Sequence, residues 1–483
     1  MSRILLGPIN RVEGDLDISL ELDGSVIREA RVNSTLYRGF EQLLVGKPAL
    51  DALVYAPRIC GICSVSQSQA SALALAEALQ LEAPANGELC RNLMLANESL
   101  ADLLTHFYLF FMPDFARADY SSASWYPQIA RRFQAIKGEA AKTVLPARAQ
   151  FLHILGLLGG KWPHTLSLQP GGSSKPVRPQ ERLQLLTLLR SFRNFLEKET
   201  FAAPLERINA LSSPQELAAW EAEESWQTGD LRTFLHLSRE LRLDQLGRGY
   251  DHFLSYGNFS LQGQKLLPAG TWNLQEGYQP LDTNAIAEDV SHAWLEEEPA
   301  RHPRQGSTRP VVEKDEAYSW CKAPRLDGQV METGALARAL VAGQPLLTAL
   351  VREQGGSVHT RVLARLLELA RLLPEMEHWA AALQPEQPFA VHAEEMGSGE
   401  GAGLMEAARG SLGHWLRLEK GRITHYQIVA PTTWNFSPRD SQQQPGALEK
   451  ALAGTQVEDP GRDSVRVQHI LRSFDPCMVC TVH

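Results

Sequence analysis

Arg58-Ile59-Cys60-Gly61-Ile62-Cys63 near the start and Asp475-Pro476-Cys477-Met478-Val479-Cys480 near the end are the stretches that decide how this chain is read. Two cysteines two residues apart can aim both sulfurs at one ion, and two such pairs make a four-sulfur cage. A zinc ribbon closes a loop of roughly 15–20 residues between its pairs. Here almost the whole chain lies between them, so a site built from both pairs joins the two ends of the sequence around everything folded in between. Spacing alone leaves structural zinc, an iron–sulfur cluster or another thiolate-held metal open.

The composition suits such a core. Of 483 residues, 44% are hydrophobic and 21% charged, the balance of a globular protein. A formal charge of -9 without a Lys/Arg-rich stripe argues against nucleic acid as a partner. No apolar run approaches the roughly 20 residues of a membrane helix; Leu103 to Met112 comes nearest and contains His106. Direct membrane insertion is therefore not expected, and the first residues lack the apolar segment of a secretory signal. The 6 cysteines are too few for a disulfide-built scaffold. Four of them in CxxC pairs point to metal or redox chemistry in a reducing compartment.

Leu16, Ile18, Leu20 and Leu22 alternate with polar residues, Asp23-Gly24 supplies a turn, and Val26 to Val32 runs back, so a β-hairpin is predicted over about 14–34. Ser66 to Leu81, Arg91 to Phe111, Gln180 to Leu211 and Gly334 to Leu383 read as helical. Residues 240–330, rich in Gly, Pro, Trp and Asn, read as a loop-rich insertion with short strands. Gly397 to Leu404 reads as a flexible loop. Arg422 to Pro431 reads as a second hairpin strand, and Gly446 to Ala453 as a short helix. The expected architecture is α+β and predominantly helical: one large domain over 1–483, with a central bundle, small peripheral sheets and a metal-binding end at 472–483.

The flanks of the cysteines resemble those of nickel–iron hydrogenase large subunits. So do Arg11-Val12-Glu13-Gly14, Tyr37-Arg38-Gly39-Phe40-Glu41, His106-Phe107-Tyr108, Tyr318-Ser319-Trp320 with Lys322-Ala323-Pro324-Arg325, and Pro431-Thr432-Thr433-Trp434-Asn435. These motifs run from one end of the chain to the other. The resemblance implies a nickel–iron centre with CO and cyanide on iron. Cys60 and Cys477 would be terminal nickel ligands, and Cys63 and Cys480 would bridge to iron. H2 would be split at the metal, Cys477 accepting a proton and Glu13 relaying it onward. Glu41, His483 and the Ile428 carbonyl match ligands of a second cation, magnesium or similar, although an imidazole is an unusual magnesium ligand. Arg409 matches an arginine above the metal, whose fixed fork suits an anionic ligand, with Asp114 and Asp475 as its expected carboxylate partners. Taken singly, these residues have ordinary readings too: Glu13 as a surface glutamate, Asp114 as a loop residue, Asp475 as a turn-forming Asp-Pro.

Two departures carry information. Ala408 stands where the family usually has proline. Gln67 stands where the family commonly has a histidine beside the bridging sulfur; a neutral amide can donate to sulfur but does not titrate near neutral pH. With Ile62 and Phe110 as bulky residues of the gas path, Gln67 resembles the H2-sensing branch. Many relatives carry a C-terminal extension that is cut after the final histidine; this sequence stops at His483, as a chain without that extension or in its mature form would. Outside the two pairs only Cys90 and Cys321 remain, too few for an iron–sulfur cluster here, and both read as buried structural cysteines. Electrons from H2 would therefore leave through an iron–sulfur small subunit, in a heterodimer or a dimer of heterodimers. The resemblance thus implies a cytoplasmic H2 sensor, with a histidine kinase as a signalling partner. An energy-converting uptake hydrogenase, a quinone-site relative and a structural zinc protein are the rivals.

Overall fold

Alternation at the N-terminus gives the predicted hairpin: Leu16–Asp23 pairs antiparallel with Val26–Ser34, and Leu16, Ile18, Leu20 and Leu22 are buried. Gly24 makes the turn at φ 60°, a conformation glycine adopts without steric cost. A strand absent from the sequence reading, Ser2–Leu6, pairs with Leu16–Asp23 along its other edge. The structure, a computed structural model, describes residues 2–457 and 464–481.

Helices Ser64–Ala78, Ala85–Thr105, Glu139–Gly159, Pro179–Phe195 and Val358–Ala382 form the central bundle. The Ala85–Thr105 helix is buried along nearly its whole length, polar residues included. One buried apolar cluster takes in residues from Leu6 to Cys480, so both chain ends share the core of the bundle. Short antiparallel strands between His252 and Leu326 occupy the predicted loop-rich region. Among the described residues no helix is long and apolar enough to cross a membrane.

Two of the helical runs differ from expectation. The Gln180–Leu211 run is not one helix. It ends at Phe195, passes through a π-helical turn at Leu196–Thr200, and restarts at Leu205–Asn209 behind Pro204, which cannot continue the earlier helix. The Arg91–Phe111 run begins earlier, at Ala85, and becomes π-helical over His106–Phe111.

The larger correction concerns Gly397–Leu404, which is mostly strand. Gly399–Ala407 pairs with Gly410–Glu419, which pairs with Arg422–Val429. Its glycines serve close packing, not mobility. A Cβ on Gly399, Gly401 or Gly403 would lie 2.2, 2.0 or 1.8 Å from the carbonyl oxygens of Ala78, Ala74 and Ala70. The Ser64–Ala78 helix thus rests its backbone directly on the strand. Two strand residues rise about 6.7 Å and four helical residues about 6 Å, so the contacts repeat in step. Gly403→Ala is expected to destabilise the protein by about 3 kcal/mol or more, since neither backbone can yield. Chemical denaturation reads this directly, and an unchanged midpoint contradicts it.

Candidate metal centre

The two CxxC pairs meet. Cys60 lies in extended backbone after the turn Ala56–Ile59, and Cys63 caps the Ser64–Ala78 helix. Cys477 precedes the short helix Met478–Thr481, which carries Cys480. The sulfurs of Cys60 and Cys477 are 3.5 Å apart, those of Cys63 and Cys480 3.1 Å, and those of Cys477 and Cys480 3.1 Å. All four sulfurs lie within 4.8 Å of one another, buried and free of disulfides.

Neighbouring motifs hold the pairs in place. Arg38 donates to the Ile59 carbonyl and, at 3.1 Å, to the Val479 carbonyl, so one guanidinium ties both pairs together. The Glu13 carbonyl accepts from Met478 N at 2.7 Å. Gly14 follows at φ 82°, where a Cβ would come within 3.0 Å of the Val479 side chain. Cys477 N donates to Thr432 Oγ1 at 3.0 Å. Glu98, from the Ala85–Thr105 helix, accepts from the N–H groups of Val65 and Ser66 at 2.8 and 2.9 Å and from Trp162 Nε1 at 3.1 Å. It caps the helix that begins at Cys63, whose own side chain provides no cap. Sequence reasoning missed Glu98; the only signal is a carboxylate at a core position of an apolar helix.

The donor set fits a soft cation. Hydrogen bonds from Cys477, Cys480 and Cys63 hold the Cys60 thiol well below its ordinary range. Contact with Cys477 and Cys480, together with burial, pushes Cys63 well up, and burial pushes Cys477 well up. A buried sulfur cluster supports little negative charge by itself. A bound metal ion supplies the missing positive charge and lets the remaining thiols ionise.

Arg409 stands beside this cluster, buried. Its Nη1 and Nη2 lie 2.8 and 3.1 Å from the Asp102 carboxylate, and its Nε lies 3.4 Å from Asp475 Oδ1. These carboxylates outweigh burial and keep the guanidinium charged. Its Nε and Nη1 make no aligned hydrogen bond among the described residues. Of the two carboxylates expected beside Arg409, Asp475 lies next to it and Asp114 does not. Asp114 pairs with Arg11 and, at 2.5 Å, with Arg472. After the π-helical turn the chain tightens over Met112–Ala116, and Asp114 there meets Arg11 and Arg472; Asp102, still inside its helix, faces Arg409.

The remaining predicted residues fall as follows. Glu13 is half-buried, and burial followed by the charge of Cys60 pushes its carboxyl up. Gln67 Nε2 lies 3.8 Å from Cys480 Sγ. Ile62, between the first two cysteines, is half-buried against the core. Phe110 is half-buried, and its carbonyl accepts from Arg11 Nη1 at 3.0 Å. Glu41 and the Ile428 carbonyl do converge, each 3.1 Å from Lys322 Nζ, which also pairs with Glu288. Lys322 thus brings positive charge to these buried oxygens. His483 lies outside the described residues. Cys90 and Cys321 are buried singly, and burial pushes both thiols up to about 12.

Comparison with known proteins agrees with this geometry. The family described as "Nickel-dependent hydrogenase" matches residues 38–136 and 142–483. The chain is 27% identical to the Hydrogenase-2 large chain of Escherichia coli (strain K12), covering 100% of this chain and 97% of that protein. It is 27% identical to the periplasmic [NiFeSe] hydrogenase large subunit of Desulfomicrobium baculatum, over 100% of this chain and 95% of the relative. Among solved structures, the Ni-Fe-Se hydrogenase from D. vulgaris Hildenborough in the reduced state superposes with a TM-score of 0.84 at 29% identity, over 100% of both chains.

Proposed function

This chain belongs to the nickel-dependent hydrogenase family as a catalytic large subunit acting on H2, and we propose that it works as an H2 sensor. It would cleave H2 slowly and report it to a regulatory partner such as a histidine kinase. The observation that carries this reading is Gln67. Its amide faces Cys480 Sγ and can donate there without titrating. The bulky side chains of Ile62 and Phe110 would narrow the path for gas, admitting H2 more readily than O2.

A nickel–iron centre with CO and cyanide on iron, bound here, would supply heterolytic cleavage of H2. The chain's own residues then divide the work. Cys60 and Cys477 would hold nickel terminally, and Cys63 and Cys480 would bridge. Cys477 Sγ would take the proton, and Glu13, whose backbone pairs with that of Cys477, would carry it outward. Arg409, held by Asp102 and Asp475, would present its positive charge to anionic ligands of the metal. Glu41, the Ile428 carbonyl and His483 would bind magnesium or a similar cation beside Lys322. An iron–sulfur small subunit would take the electrons. Free buried cysteines favour a cytoplasmic setting, where thiols stay reduced.

The test is H2-dependent dye reduction by the chain co-purified with its small subunit, with and without O2. The sensor reading predicts slow turnover that persists in O2. Fast turnover that O2 stops would assign the chain to energy-converting H2 uptake and leave Ile62 and Phe110 as packing residues.

A further inference from the structure

Nothing within Gln67 itself decides which end of its amide faces the sulfur, because the terminal torsion of glutamine is broad and roughly two-fold. The choice matters. An N–H aimed at a metal-bound thiolate withdraws electron density from it, whereas a carbonyl oxygen aimed there is repelled.

The fold supplies the missing constraint from the sheet beneath the helix. His414 lies on the Gly410–Glu419 strand, opposite Gly403 on one neighbour and Ile428 on the other. Because the glycine strand lets the Ser64–Ala78 helix approach so closely, His414 reaches Gln67 from the second strand. His414 Nε2 lies 2.8 Å from Gln67 Oε1, and His414 Nδ1 lies 2.8 Å from the Tyr426 hydroxyl. Gln67, His414, Tyr426 and Cys480 are all buried. Donor and acceptor roles follow by elimination. With a metal bound, Cys480 is a thiolate that only accepts, so the Gln67 amide nitrogen faces it and the amide oxygen faces His414. That oxygen only accepts, so His414 carries its hydrogen on Nε2. In the neutral ring Nδ1 then accepts, and the Tyr426 hydroxyl donates to it. Every donor points towards the sulfur, in the order Tyr426, His414, Gln67, Cys480, and such aligned chains polarise one another.

We propose that His414, oriented by Tyr426, is a positioning residue that locks the Gln67 amide with its N–H on Cys480 and so sets the electron density of that thiolate. The inference rests on the four-cysteine metal centre and holds whether or not the chain is a sensor.

The test uses the nickel-loaded complex with its small subunit. The midpoint potential of the nickel centre and the infrared bands of its diatomic ligands are compared for Gln67→Leu, His414→Leu, Tyr426→Phe and the double variants with Gln67→Leu. His414→Leu is expected to shift both readouts in the same direction as Gln67→Leu and by a comparable amount. Tyr426→Phe is expected to shift them less, in the same direction. In the Gln67→Leu background neither change should add anything, because the amide they orient is gone. Should His414→Leu fail to load nickel, the milder Tyr426→Phe pair carries the same comparison. Readouts unmoved in the nickel-loaded single variants overturn the proposal, and so do shifts that persist in the Gln67→Leu background.

Discussion

Cys477→Ala is expected to empty the centre: nickel content falls to background, and H2-dependent dye reduction falls with it. The reason is geometric. The four sulfurs lie within 4.8 Å of one another in a buried pocket, and a metal that loses one thiolate there has no replacement ligand of comparable softness. Because the centre also joins the first and last parts of the chain, emptying it removes binding energy from the fold, so the unfolding temperature should drop as well. Cys90→Ala is the matched control. That thiol is equally buried but lies outside the cluster, so nickel should stay. Elemental analysis of the two purified variants decides the matter, and a Cys477→Ala protein that keeps nickel and activity contradicts the assignment.

Glu13→Gln is expected to separate metal binding from turnover. The substitution keeps the shape of the side chain and leaves the backbone contact to Met478 intact, so nickel content should not change. It removes a carboxyl that can carry a proton. Positioned acid–base groups contribute roughly 10²–10⁴-fold to rate, and a loss of that size is predicted. Burial and the nearby Cys60 raise the Glu13 pKa. Its acid form therefore persists to higher pH than in a free glutamate, which brings proton capture and release closer to the working pH. Turnover within a few-fold of the unaltered enzyme would show that protons leave by another route.

The parts of this fold legible in the sequence are those written in local pattern. Leu16 to Leu22 alternate, so their hairpin could be read directly, and the CxxC pairs announce convergent sulfurs whatever lies between them. What was not legible depends on which elements touch. Gly399, Gly401 and Gly403 look like a flexible loop in isolation; only the carbonyls of the helix above them explain why glycine is needed. Asp102 and Asp114 are both acidic residues of one region. Which of them meets Arg409 depends on a π-helical turn between them that no simple periodicity reveals. Glu98 and His414 act across long sequence separations, one capping the helix of Cys63 and the other reaching Gln67 from a strand. Lys322 was visible as part of a motif, but its place between Glu41 and Ile428 emerges only in three dimensions.

The buried four-cysteine site is expected to hold nickel and to cleave H2 heterolytically. Isotope exchange tests it most directly, since it needs neither an electron acceptor nor a signalling partner. The purified protein with its small subunit is incubated with D2 in ordinary water, and HD is followed by mass spectrometry beside its nickel content. HD formation in proportion to bound nickel is the predicted result. A preparation with stoichiometric nickel that releases no HD, or one whose four cysteines hold zinc instead, would contradict it.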